Sequence, residues 1–273
     1  MAESATVLSW GEVAEDPAFR KEFLRSPFIL ALDFDGTLAP FVPERLAARL
    51  HPELLPVLED LAAHPSVRLV FVTGRPALEL RSLLELSRPV EIWGSHGAER
   101  LDLDGLLSRQ PLTPSQSAGL AEARVLAGRM GLGGRCEVKH AGLAAHWRGL
   151  PRAEARRMDR ALNAAWGDLA GEADLELRAF DGGLELRPRG VNKGRPIRAL
   201  LEEAGGASRL VYLGDDQTDE DAFAALAGRG LPVLVAEWAW PTAARLRLTP
   251  RTEVREFLAL VLGLAGDRPS PSG

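Results

Sequence analysis

At 273 residues, with 46% hydrophobic and 26% charged side chains, the chain has the length for one large or two modest domains and the balance of a soluble globular protein, which excludes a mainly disordered or fibrous one. A formal charge of −5 argues against wrapping nucleic acid or lying on an anionic membrane. A single cysteine, Cys136, excludes an internal disulfide and a multi-cysteine metal site, and no apolar run approaches the ~18 residues of a membrane span. The first 26 residues carry Glu3, Glu12, Glu15 and Asp16 and lack an apolar centre. They do not resemble a secretory signal, so the expected location is the cytoplasm.

Phe28-Ile-Leu-Ala-Leu32 is the first continuous apolar run and ends in Asp33-Phe-Asp-Gly-Thr-Leu38. Arg68-Leu-Val-Phe-Val72 ends in Thr73-Gly-Arg75, and Arg209-Leu-Val-Tyr-Leu213 ends in Gly214-Asp-Asp216. Leu231-Pro-Val-Leu-Val235 is the fourth. Unbroken runs of this length read as parallel strands buried on both faces. Helical stretches lie between them, at 53–63, 77–85, 195–204 and 219–227, and the apolar Phe257 to Ala265 stretch reads as a packed helix within a final helix around 252–262. The alternation predicts an α/β fold with a doubly wound, mainly parallel Rossmann-like sheet. Ligands of such sheets bind beyond the carboxyl ends of the strands, where this chain places Asp33, Asp35, Thr73, Asp215 and Asp216.

Between about Leu112 and Arg189 the runs become short and alternating. Cys136–Lys139 and Ala144–Arg148 predict one hairpin around Ala141-Gly142. Leu175–Arg178 and Leu184–Arg187 predict a second around Asp181-Gly-Gly183, with a helix over Pro151–Trp166 between the two. This reads as a smaller α+β domain, residues 111–188, inserted into a core of residues 1–110 and 189–273. The tail 267–273 reads as mobile.

Asp33 and Asp35 leave one strand two residues apart, so both can point the same way. Two such acids must manage their repulsion, and a bound cation does so while leaving one carboxylate free as a nucleophile. Gly36 permits the tight exit turn, and Thr37 offers a hydroxyl and an amide. Asp215 and Asp216 stand on the loop before a helix and suggest a hard cation with oxygen ligands, most simply magnesium. Thr218 with Asp221 resembles a capping box, and Asp219 and Glu220 suit the first turn of a helix, which makes Glu220 and Asp221 caps before they are catalysts. Thr73 could bind a phosphate oxygen with help from the Gly74 amide. Of 33 basic residues only Lys21, Lys139 and Lys193 are lysine, so Lys193, just before a helix, stands out as an anion clamp. The histidines form no metal cluster, and His51 and His64 read as surface residues.

These motifs, in this order, resemble the haloacid dehalogenase superfamily of phosphotransferases. The likeness is closest to trehalose-6-phosphate phosphatases. It rests on Leu32 to Pro40, Gly94-Ser-His-Gly-Ala-Glu99, Glu185-Leu-Arg-Pro188 leading to Lys193-Gly194, and Gly214 to Phe223. Within the insert, Glu137-x-Lys139 and His146-Trp-Arg148 are similar to that family's cap motif, where Trp147 replaces a usual Tyr. The resemblance implies a magnesium phosphatase with a mobile cap. Asp33 is then the nucleophile and Asp35 the acid and base, while Thr73 and Lys193 hold the phosphoryl oxygens. The metal is held by Asp33, the Asp35 carbonyl and Asp215, with Asp216 or Asp219 behind. Gly36, Gly74, Arg75, His96, Gly97, Glu99, Lys139, His146, Arg148, Glu185 and Arg187 are implied to contact the substrate, a small-molecule sugar phosphate bound by a monomer. In the insert, His146 with Arg148, and Glu185 with Arg187, are expected to share a strand face that reads sugar hydroxyls. Phosphatases of sucrose, mannosylglycerate or glucosylglycerol phosphates, a phosphomutase, and a non-catalytic sensor are the rival readings.

Overall fold

The computed structural model describes residues 7–24, 27–42, 44–180, 182–206 and 209–266. The tail 267–273, Glu3 and Asp181 therefore lie outside the described residues. The chain divides into two compact units, one running to Leu107 and resuming at Asn192, the other spanning Ser108–Val191.

The first unit opens with β1 (Leu8–Ser9), α1 (Trp10–Val13), α2 (Pro17–Phe23), β2 (Phe28–Leu32), α3 (Leu55–Ala63), β3 (Val67–Val72), α4 (Ala77–Leu83), β4 (Glu91–Gly94) and β5 (Glu99–Leu101), and its first segment ends in β6 (Leu107–Arg109), whose last two residues are counted with the second unit. The second holds α5 (Pro114–Arg129), β7 (Cys136–Lys139), β8 (Gly142–His146), α6 (Arg152–Glu172), β9 (Leu175–Phe180) and β10 (Gly183–Pro188). The chain then returns through α7 (Gly194–Ala204), β11 (Arg209–Gly214), α8 (Glu220–Leu226), β12 (Gly230–Val235), β13 (Leu246–Leu248) and α9 (Thr252–Gly266).

The large sheet has the order β1-β13-β12-β11-β2-β3-β4-β5-β6. Its pairs from β1 to β4 are parallel, and β4 with β5 is antiparallel. Every residue of β2 is buried. Phe28, Leu30 and Leu32 join the core against α3 and α9, while Ile29 and Ala31 join the core against α7 and α8. That two-sided burial is why the strand reads as unbroken apolar sequence. Each buried large aliphatic side chain stabilises the fold by about 1.5–3 kcal/mol. The expected fold class is the observed one, and β2, β3, β11 and β12 fall on the four predicted runs.

The second unit is an antiparallel sheet of order β7-β8-β10-β9. Leu143, Ala145, Leu184, Leu186 and Leu175 pack against Met158, Leu162, Trp166 and Leu169 of α6 and Ala123 and Ala127 of α5. Helix α6 runs well past Trp166, and α5 has no counterpart in the sequence reading. Its fully buried positions are Gln116, Gly119, Ala123 and Ala127, and its large apolar residues on the core, Leu120 and Leu126, are only partly buried. A cap was nevertheless legible: Thr113 and Gln116 exchange side-chain bonds with each other's amides. The first predicted hairpin is corrected as well. Strand β8 stops at His146, so Trp147 and Arg148 lie beyond it and strand alternation does not join His146 to Arg148. Among the described residues no helix is long and apolar enough to cross a membrane.

Candidate active site

Asp33 continues β2 by donating its amide to Leu213 O of β11 at 2.9 Å. Phe34 turns into the core, which leaves Asp33 and Asp35 on the other side. Gly36 then adopts φ +85°, and a Cβ there would overlap the Asp215 carboxylate and the Phe41 ring, so only glycine lets the two strand ends approach. The turn closes with Gly36 N donating to Ala39 O at 2.7 Å. Asp33 is buried, with Oδ1 3.0 Å from Lys193 Nζ. The ammonium reaches it from the amino end of α7, where the missing Gly194 side chain lets the helix start against the Asp221 carbonyl.

At the end of β11, Asp219 is fully buried. Its Oδ1 accepts from Lys193 Nζ at 2.7 Å and from the Tyr212 hydroxyl, and its Oδ2 accepts from the Asp215 and Asp216 amides, each at 3.0 Å. The proposed Thr218–Asp221 capping box is not formed. Thr218 instead gives its amide and hydroxyl to Asp216 Oδ1, at 2.7 and 2.6 Å. Glu220 does not cap either: its Oε2 accepts from the Ala243 amide at 2.8 Å. Carboxylate oxygens of Asp33, Asp215 and Asp219 lie within 4.8 Å of one another. With four donors on its two oxygens, Asp219 is committed to shaping the loop, which leaves Asp33 and Asp215 as the open pair. Thr37 Oγ1 steadies Asp215 from 3.2 Å. Two hard oxygen donors, Asp33 buried and Asp215 half-buried, with no cysteine or histidine in the cluster among the described residues, fit a magnesium-sized cation.

Thr73 follows β3 with its hydroxyl oxygen accepting the Arg75 amide at 3.1 Å, so its own proton is left to donate. The Arg75 guanidinium is buried and grips Asp35 twice, Nε to Oδ2 at 2.6 Å and Nη2 to Oδ1 at 2.7 Å. Its Nη1 donates to Glu79 at 2.9 Å and to the Arg45 carbonyl at 2.8 Å. Arg75 thus points at protein groups. So does Glu99, which accepts the Ala77 amide at 2.9 Å. Ser95, His96 and Gly97 are consecutive left-handed residues, with φ 50°, 54° and 95°. Such a conformation costs roughly 1–3 kcal/mol at each non-glycine position.

In the second unit the register places Lys139 against Gly142, and Glu185 against both Ala144 and Arg178, so Lys139, His146, Glu185 and Arg187 share one sheet face opposite the apolar one. Lys139 Nζ bonds Glu185 Oε1 at 2.8 Å. Both side chains are less than a tenth exposed, so this is a buried ion pair and not two separate surface charges. His146 Nε2 meets Glu137 at 3.0 Å, and Arg187 donates to Glu176 at 3.2 Å. Arg148 packs beside the Gly182 turn.

The model of the trehalose-phosphatase family matches residues 31–250, a span that includes every motif above. The chain belongs to the trehalose-phosphatase family. It is 30% identical over 212 residues to the trehalose-6-phosphate phosphatase of Escherichia coli K12, a match covering 77% of each chain. Among solved structures, the Candida albicans trehalose-6-phosphate phosphatase C-terminal domain superposes with a TM-score of 0.78 at 24% identity, over 95% of this chain and 99% of that one. A haloacid dehalogenase-like hydrolase from Bacteroides thetaiotaomicron has the same fold, with a TM-score of 0.58 at 16% identity over 86% of this chain and 99% of that one. The family fold is that of haloacid dehalogenase-like hydrolases with a cap domain, and its chemistry is phosphoric monoester hydrolysis.

Electrostatics in this trehalose-phosphatase core follow from crowding. Burial, opposed by Lys193 and reinforced by Asp219, Asp35 and Asp216, pushes the Asp33 carboxyl up to about 8. Burial and then Asp33, Asp219 and Asp216 hold Asp215 well above the ordinary carboxylate range. Burial alone would lower the Lys193 ammonium, but Asp219, Asp33 and Asp216 more than reverse it. Asp216 is resisted by burial yet ends lowered, through Lys193 and the two Thr218 bonds. A divalent cation would offset this crowding of carboxylates. The sequence reading missed Tyr212, Glu79 and Arg45, which support Asp219 and Arg75. Tyr212 alone carried a signal, as the only tyrosine in the chain.

Proposed function

We propose that this chain hydrolyses trehalose 6-phosphate to trehalose and inorganic phosphate, as a magnesium-dependent cytoplasmic monomer. The observation that carries the reading is Asp33 held 3.0 Å from Lys193 at the end of β2. The named activity of the Escherichia coli relative supports the choice of sugar.

An Asp33 oxygen attacks phosphorus, the bond from phosphorus to the sugar oxygen breaks, and Asp35 gives its proton to that oxygen. Free sugar leaves, and the phosphoryl group stays on Asp33 as an acyl phosphate. Water then attacks phosphorus while Asp35 takes its proton, the bond to Asp33 breaks, and phosphate departs. The Thr73 hydroxyl, the Gly74 amide and the Lys193 ammonium bind the phosphoryl oxygens in both halves, which is where most of the stabilisation of phosphoryl transfer lies. Asp33, the main-chain carbonyl of Asp35 and Asp215 would hold magnesium, whose charge offsets that of the phosphoryl oxygens. Lys139, His146, Glu185 and Arg187 select the sugar.

Phosphate release from trehalose, sucrose, mannosylglycerate and glucosylglycerol phosphates, with magnesium and with chelator, tests the reading. Fastest release from trehalose 6-phosphate, abolished by chelator, is expected. Preference for another ester reassigns the substrate, an isomeric sugar phosphate without released phosphate reveals a mutase, and inertness toward all four overturns the enzyme.

A further inference from the structure

Four hydrogen bonds join the segment 73–77 to the segment 93–99. Thr73 N donates to Trp93 O at 2.9 Å, Ser95 N to Arg75 O at 2.7 Å, and His96 N to Thr73 O at 2.9 Å. The fourth is Ala77 N to Glu99 Oε2, at 2.9 Å. Two glycines allow the approach. A Cβ on Gly94 would overlap the Ala77 backbone, and one on Gly74 would lie 2.8 Å from the His96 imidazole. Glu99 is 3% exposed, and the Ser95 hydroxyl donates to the same Oε2 from 3.4 Å. One buried carboxylate therefore ties the first amide of α4 to a turn of three left-handed residues. A turn so strained persists only where its surroundings over-determine it.

The bonds converge on Arg75. Its carbonyl is fixed by Ser95, and its amide donates to the Thr73 hydroxyl oxygen, which leaves the hydroxyl proton to serve as a donor. Its guanidinium carries the Asp35 carboxylate. We infer that Ser95, His96 and Glu99 are positioning residues: they clamp Thr73 and Arg75, and through them set the phosphoryl-binding hydroxyl and the acid–base carboxylate, without touching the sugar. The inference rests on the roles proposed above for Thr73 and Asp35, and it departs from the substrate contact that family resemblance implies for His96 and Glu99.

Trehalose 6-phosphate and p-nitrophenyl phosphate, both with magnesium, separate the alternatives. In Glu99→Ala, kcat should fall by a similar factor on both esters, on the order of ten- to a hundred-fold, with KM for the sugar phosphate changed less than about threefold. Glu99→Gln keeps an acceptor for the Ala77 amide and should recover most of the loss. His96→Asn tolerates the left-handed backbone but removes the ring over Gly74, so it should show the same pattern more mildly. This variant with Glu99→Gln keeps the comparison open if Glu99→Ala does not fold. A loss confined to trehalose 6-phosphate and seen in KM would mean that these residues touch the sugar. A lowered thermal midpoint with unchanged kcat per folded molecule would mean that they only support the fold. Either result overturns the clamp. Turnover of trehalose 6-phosphate by the unaltered protein decides the proposed function separately.

Discussion

Both carboxylate oxygens of Asp35 are held by one guanidinium, that of Arg75, at 2.6 and 2.7 Å. The two residues leave neighbouring strands, β2 and β3, and the arginine is anchored behind by Glu79 and the Arg45 carbonyl. A planar fork fixes the orientation of a carboxylate as a point charge cannot. Arg75→Lys should therefore lower kcat by roughly 10- to 100-fold with a smaller change in KM, since Asp35 is left loosely aimed. Steady-state kinetics on trehalose 6-phosphate check this. Wild-type kcat in Arg75→Lys would show that Asp35 orients itself.

Asp33→Asn should abolish turnover, because an amide cannot attack phosphorus and is a poorer ligand for a hard cation. The fold should survive. The substitution removes one acid from a crowded set and leaves Lys193 its 2.7 Å bond to Asp219. Phosphate release and a thermal melt on the same preparation test both halves. Release at the wild-type rate from folded Asp33→Asn would end the nucleophile assignment.

The pH dependence of the metal-free protein has a defined sign. The Asp33 carboxyl stands at about 8 against an ordinary 3.8, so its contribution to stability is complete below the lower value and is lost as pH rises through the upper one. Thermal midpoints in chelator should fall as pH rises from about 6 to about 8. Added magnesium should reverse the fall most strongly at the alkaline end, because the ion binds the ionised carboxylates. Calorimetry in two buffers of different ionisation enthalpy should register proton release on magnesium binding. A midpoint indifferent to both pH and magnesium would show that Asp33 ionises freely without a cation.

The Lys139–Glu185 pair makes a sharper prediction than two exposed charges would. Removing either partner leaves the other buried and costs about 3–5 kcal/mol of stability where no second partner steps in. Glu185 has Arg187 at 3.9 Å, so Lys139→Ala should be the milder lesion and Glu185→Ala the more severe. Both should lower kcat/KM for trehalose 6-phosphate, by roughly 5- to 150-fold for each lost sugar hydrogen bond. Hydrolysis of p-nitrophenyl phosphate at a temperature where the variants stay folded should barely change. Equal losses on both esters would assign the pair to structure alone.

The fold and the core motifs were legible in the sequence because they depend on local rules. A parallel strand buried on both faces must be apolar throughout, and the abrupt switch to Asp33, Thr73 or Asp215 marks the carboxyl end where ligands bind. Helix α5 was not legible, because its fully buried positions are glycine, alanine and glutamine and only Leu120 and Leu126 add large apolar contacts, which makes a weak apolar stripe. The partners of the site residues were hidden for another reason. The sheet order β11-β2-β3-β4 brings together chain ends far apart in sequence, so Thr37 meets Asp215 and Arg75 meets Asp35. Periodicity encodes which side of an element a residue faces, and it carries nothing about which distant side chain waits there. Asp219 therefore read by pattern as a helix-start acid and by resemblance as a residue behind the metal, and only the tertiary structure made it the buried acceptor of Lys193, Tyr212 and two amides. Glu99, a motif residue by resemblance, became the acceptor of the Ala77 amide for the same reason: β4 and β5 return it alongside the loop that follows β3.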